Sequence, residues 1–91
     1  VTVGLDGAPV VTNPGDVTWN ANAAVRLVMR ATDPGGRTLR WRAQDLPPGV
    51  WIDADNGTIQ GAPEARGRYV ASVVADNGRQ AIGTWFVVRV E

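Results

Sequence analysis

"LPPGVWIDADNGTIQGAP", residues 46–63, is about a fifth of a 91-residue chain and holds three prolines and three glycines. Proline fixes φ and pushes the residue before it into an extended conformation, so Pro47-Pro48-Gly49 forces a stiff corner after Leu46. Val50 and Ile52 then lie two apart on one face of a short strand, with Trp51 on the other. Asp53-Ala54-Asp55-Asn56-Gly57 reads as a turn. Its Asp and Asn side chains can accept from nearby backbone amides, and Gly57 is free to take positive φ. Thr58-Ile59-Gln60 is a second short strand with Ile59 inward, and Gly61-Ala62-Pro63 ends it. Every rigid residue has a backbone role, which makes the run a tight β-arch. On this reading the run is scaffold, and Trp51 is the large side chain that it leaves outward.

Working outward from the arch, the rest of the chain alternates with period two. Along 23–33, Val25, Leu27, Met29 and Ala31 share one face against Arg26, Val28, Arg30 and Thr32. Leu39, Trp41 and Ala43 point inward and Arg40 and Arg42 outward. Tyr69, Ala71, Val73 and Ala75 oppose Val70, Ser72 and Val74. In the last strand Ile82, Thr84, Phe86, Val88 and Val90 claim the interior, leaving Ala81, Gly83, Trp85, Val87 and Arg89 outside. Short strands at 9–12 and 17–22 and turns at 13–16, 33–36 and 76–80 complete the pattern. Residues 1–7, with Gly4 and Gly7, read as a lead-in, and 8–91 as one module. No segment keeps a helical period, so the expected class is an all-β sandwich.

Composition narrows function more by exclusion than by assignment. Nine basic residues balance nine acidic ones, which gives no electrostatic reason to expect nucleic acid or an anionic membrane as partner. No apolar run approaches the ~20 residues of a membrane-inserted span. Cysteine and histidine are absent and the single serine is Ser72. Disulfides, thiolate metal sites and nearly every activated-nucleophile arrangement are thereby removed, and an enzyme is not expected.

The arch and the segment C-terminal to it resemble the bacterial putative immunoglobulin-domain family, kin of the dystroglycan-type cadherin-like domains, whose pattern is close to "LPxGLxIDxxTGxIxGTPxxxGxYxVxVxAxD". Leu46, Pro47, Gly49, Ile52, Asp53, Gly57, Ile59, Gly61, Pro63, Gly67, Tyr69, Val73, Ala75 and Asp76 match it. Upstream, "VTNPGD", "AVRLVMRATDPGG", Leu39 and Trp41 fit as well, so the resemblance spans residues 9–90. It implies an immunoglobulin-like or cadherin-like sandwich of about seven strands in two antiparallel sheets. It also implies a secreted or cell-surface, non-catalytic accessory module, acting as spacer or docking platform beside neighbouring domains of a parent protein. A hydrolase is the expected parent. The alternative is a module that binds polysaccharide or protein.

Candidate sites come from the residues that the scaffold leaves over. If the strands holding residues 39–43, 68–76 and 81–90 adjoin, one outer face collects Arg40, Arg42, Val70, Val74, Trp85 and Val87. Trp51, outward by parity, joins Trp85 as a candidate aromatic platform, while Trp41 belongs to the core and Trp19 to an edge segment. Asp33 and Asp76 are weak candidates for calcium, since relatives read "DPDGD" where this chain reads Asp33-Pro34-Gly35-Gly36-Arg37. Calcium takes six to eight oxygen ligands, and here glycine and a cation replace two of the acids. Both aspartates are therefore expected to cap turns, and no cofactor or metal is expected. Asp53 and Asp55 lie on one tight turn, which offers neither the cleft nor the desolvation that a catalytic carboxylate pair needs.

Overall fold

The computed structural model describes residues 9–91; the expected lead-in at 1–7 lies outside them. The strands are β1 (Val10–Thr12), β2 (Val17–Trp19), β3 (Val25–Val28), β4 (Arg30–Thr32), β5 (Arg40–Gln44), β6 (Val50–Ile52), β7 (Thr58–Gly61), β8 (Gly67–Asp76) and β9 (Ala81–Val90). One layer is the sheet β2-β9-β8-β5; the other combines β3-β7-β6 with the pair β1-β4. The alternation that defines the strands also supplies the core: Met29, Trp41, Ile59, Ala71, Val73, Ala75, Phe86, Val88 and Val90 are buried together, drawn from both layers. Leu27, Leu39, Val50, Ile52 and Tyr69 pack against them from the margins.

Nine segments make the expected seven strands because two strands are each broken once. Residues 25–32 form one strand interrupted at Met29, where pairing passes from β7 (Val28 opposite Thr58) to β1 (Arg30 opposite Thr12). The first strand is broken by Asn13-Pro14-Gly15-Asp16, which carries the chain from one layer to the other. Side chains replace the missing ladder at that crossing. Asn13 Nδ2 donates to the Trp85 carbonyl at 2.8 Å, and Asp16 Oδ1 accepts from Val87 N at 3.0 Å. The two sheets are antiparallel as expected except at β2, which pairs parallel with β9 (Val17 opposite Val88).

The arch folds as the β6–β7 hairpin, with Trp51 opposite Gln60 and Ile52 opposite Ile59. Asp53 Oδ1 accepts from Asp55 N at 2.8 Å, and Asn56 Oδ1 accepts from Thr58 N at 2.9 Å, which closes the turn. Gly57 takes φ +73°, and a Cβ there would lie 2.7 Å from the Trp41 indole, so the turn is a seat for that ring. Trp41 N donates to Ala54 O at 2.9 Å and ties β5 of one layer to the hairpin of the other. At the start of β8, Tyr69 Oη donates to Ala65 O at 3.0 Å. This is the corner by which immunoglobulin-like sandwiches pin the turn into this strand.

Trp41 is 7% exposed and Trp85 63% exposed, so the two tryptophans respond differently to truncation. Trp41→Ala is expected to cost about 3–5 kcal/mol in urea melts, and Trp85→Ala less than ~1 kcal/mol. Equal costs would contradict the assignment of the two faces.

Candidate functional site

Three places carry the residues singled out in the sequence. The first is the outer face of β5, β8 and β9. These strands adjoin, and the register sets Gln44, Ser72 and Trp85 in one row across them, Arg42, Val74 and Gly83 in the next, and Val70 beside Val87 below. Trp85 thus stands opposite Ser72, diagonal to Val70 and Val74. Arg40 and Arg42 lie on this face but do not cover the indole. Arg42 Nη1 is 3.2 Å from Asp76 Oδ2, and Arg40 Nη1 is 3.5 Å from Asp55 Oδ1. Both guanidiniums are drawn toward the loops at the end of the sheet, and the aromatic surface stays open.

The second place lies on the opposite side of the sandwich. Trp51 sits on β6, in the other layer, so Trp51 and Trp85 cannot contribute to one platform. Parity puts both outside but is silent about which layer each strand joins. Trp51 is 56% exposed and lines an open groove with Asn22, Arg26, Gln60 and Glu64. Register explains the grouping: Trp51 pairs with Gln60 on β7, and Gln60 with Arg26 on β3. Sequence reading marks Arg26 as outward but misses the groove, because the β3–β7 pairing joins residues thirty or more positions apart. Trp19 takes no part in either surface; it is half-buried and packs on the core.

The third place is the loop end that holds Asp33 and Asp76. The Asp33 side chain is only 2% exposed. Its Oδ2 accepts from Arg37 N at 2.7 Å and its Oδ1 from Asn77 Nδ2 at 2.7 Å. Asn77 Oδ1 in turn accepts from Arg79 N and Gln80 N, both at 2.8 Å. Asp33 and Asn77 therefore clamp the 33–37 turn to the β8–β9 loop. Asn77, which the sequence marks only as part of an Asn-Gly turn, is the middle of that clamp. Asp76 Oδ1 accepts from Gly78 N at 2.7 Å while Oδ2 holds Arg42. Among the described residues no three carboxylate, His or Cys side chains gather as a metal site would require.

Hydrogen bonding also sets the acidity of these groups. The Arg37 amide, then the Asn77 side chain, hold the Asp33 carboxyl below its ordinary value of 3.8. The Gly78 amide, then the Arg42 guanidinium, do the same for Asp76.

An immunoglobulin-like β-sandwich with turn-capping carboxylates and two open aromatic faces is the class that these features define. The chain belongs to the family described as Putative Ig domain, whose profile matches residues 8–91. No curated protein matches the sequence. Among solved structures it is similar to a "putative alpha-galactosidase" from Bacteroides fragilis, with 23% identity and a TM-score of 0.80 over 91% of this chain and 17% of that one. It is also similar to Drosophila N-cadherin EC1-4, with 16% identity and a TM-score of 0.76 over 93% and 25%. A third likeness is to an endo-fucoidan hydrolase of glycoside hydrolase family 107, with 18% identity and a TM-score of 0.75 over 92% and 14%. These likenesses show the fold. The chain spans a quarter or less of each of the three structures.

The depressed acidities predict acid sensitivity with a defined sign. A carboxyl whose folded value is lowered adds stability above its unfolded value, and that stability is lost as pH falls through the folded value. Urea midpoints are therefore expected to hold above about pH 5 and to fall steadily below about pH 4. Asp33→Asn is expected to be less stable at neutral pH and to lose less on acidification. An acid profile identical to that of the unsubstituted chain would contradict the clamp.

Proposed function

We propose that this chain is a non-catalytic accessory module of a secreted, multidomain bacterial hydrolase, and that it docks a neighbouring domain through the Trp85 face. The observation that carries the reading is the row at the middle of β8 and β9. Trp85 is open, flanked by Val70, Val74 and Val87, and left uncovered by arginines that pair elsewhere. An apolar surface of this kind, rimmed by charge, is what an interdomain contact uses. The family and the recurrence of this fold as a small part of two glycosidase structures support the accessory role. The carboxylates support it too, since Asp53 and Asp33 are engaged in turns and Asp55 pairs with Arg40 in open solvent. Secretion belongs to the same reading.

Calorimetry of the full-length parent tests it. Trp85→Asp, which puts a charge on the contact, is expected to lower the neighbouring domain's unfolding temperature by about 2–4 °C. The same substitution is expected to leave the melting of the 91-residue chain nearly unchanged. A neighbour indifferent to Trp85→Asp would reduce the module to a spacer, and hydrolysis of glycosides by the 91-residue chain alone would overturn the non-catalytic assignment.

A further inference from the structure

The two exposed tryptophans sit in different chemistry, and we infer that the Trp51 groove is a binding subsite for an uncharged polysaccharide chain. This goes beyond docking at Trp85 and uses the opposite side of the sandwich. Trp51 is held ready for stacking. Its six-membered ring rests against Gly61, where a Cβ would come within 2.9 Å of Cζ3 and would also overlap the Gly49 carbonyl. Backbone therefore supports the indole from below while 56% of the residue stays in solvent. A ring fixed in this way gives up little freedom on binding. Its electron-rich surface suits the C–H-lined face of a pyranose.

The polar groups around the ring complete the argument. In the row Trp51–Gln60–Arg26, an amide and a guanidinium follow the indole across the sheet, and Asn22 and Glu64 close the groove. Elsewhere the polar side chains near turns are committed: Asp33, Asp53, Asn56, Asp76 and Asn77 all hold backbone or one another. Among the described residues, no side-chain hydrogen bond or ion pair engages Asn22, Arg26, Gln60 or Glu64. They present donors and acceptors together, the combination that vicinal hydroxyls demand.

Charge and shape exclude other occupants. One cation and one carboxylate balance each other, so the groove favours neither phosphate nor a sulfated chain. Its volume of about 640 Å³ falls in the range of small-ligand sites, and it is open, as a site for the interior of a long chain must be. An extended peptide adding to the sheet beside Trp51 would pair with the edge strand β6. That strand is three residues long and preceded by Pro47-Pro48, a poor template for strand addition.

Native gels cast with galactomannan, xyloglucan or mixed-linkage β-glucan, and with sulfated fucoidan as the anionic comparison, test this on the 91-residue chain. The wild type is expected to be retarded in at least one neutral gel. Trp51→Ala is expected to weaken that retention about tenfold or more, with Gln60→Ala intermediate. Trp85→Ala is expected to migrate like the wild type, which separates this site from the docking face. Nuclear magnetic resonance titration of the wild type with the retarding polysaccharide is expected to move the Trp51 indole and Gln60 amide signals first, whatever the variants' folding. Free migration in every neutral gel, retention that survives Trp51→Ala, or retention by fucoidan alone would each overturn the inference.

Discussion

The contact between the Trp41 indole and Gly57 is the constraint on which the rest of the sandwich depends. Trp41 lies on the free edge of the four-stranded sheet and Gly57 in the turn of the opposite layer. The ring closes the gap between two strands, β5 and β6, that share no ladder. In small sandwiches with a disulfide, a covalent bond between the sheets does part of this work; here there is no cysteine. An aromatic side chain on a glycine seat, reinforced by the Trp41 N–H to Ala54 carbonyl bond, takes its place. Because the hairpin is fixed at its turn, its outward residues are fixed too. The groove around Trp51 is a consequence of how the core is closed.

Polar side chains divide by position. At the turns they replace backbone partners: Asn13 and Asp16 at the crossing between layers, Asp53 and Asn56 in the arch, Asp33 and Asn77 at the far loops. Around the Trp51 groove they remain available, whereas Arg40 and Arg42 on the opposite face pair with Asp55 and Asp76. The division matters for function, because an aspartate that already accepts two amide hydrogens has little left to offer a ligand, whatever its position in a related sequence. It also leaves two open aromatic surfaces, around Trp85 and around Trp51, on opposite layers of the sandwich.

Much of this was legible in the sequence, and the limit is physical. Period two is enforced locally by the pleat, so the inward residues of β5 and β8, Phe86, Val88 and Val90 of β9 and the exposed Trp85 emerge from reading along the chain, whereas Ile82, inward by parity, is 38% exposed near the start of β9. The arch is legible for the same reason: proline, glycine and Asx residues act on their immediate neighbours. Which layer a strand joins is decided by contacts far apart in sequence, so Trp51 and Trp85 read as one platform although they face opposite ways. The break at Met29 and the parallel pairing of β2 arise likewise, from competition between partners for one strand. Asn77 shows the other limit. Its backbone role in the loop is readable, whereas its bond to Asp33 requires knowing that the two loops meet.

A double-mutant cycle on Trp41 and Gly57 tests most directly whether that contact governs the fold. Gly57→Ala in the otherwise unchanged chain combines strain at positive φ with overlap against the indole, about 2–4 kcal/mol together. With Trp41→Leu in the background the overlap is gone and only the strain remains, about 1–2 kcal/mol. The account predicts that the two losses, measured by urea unfolding, fall short of additivity by ~1 kcal/mol or more. Losses that add to within ~0.5 kcal/mol would show that the ring and its seat are energetically independent, and would contradict the account.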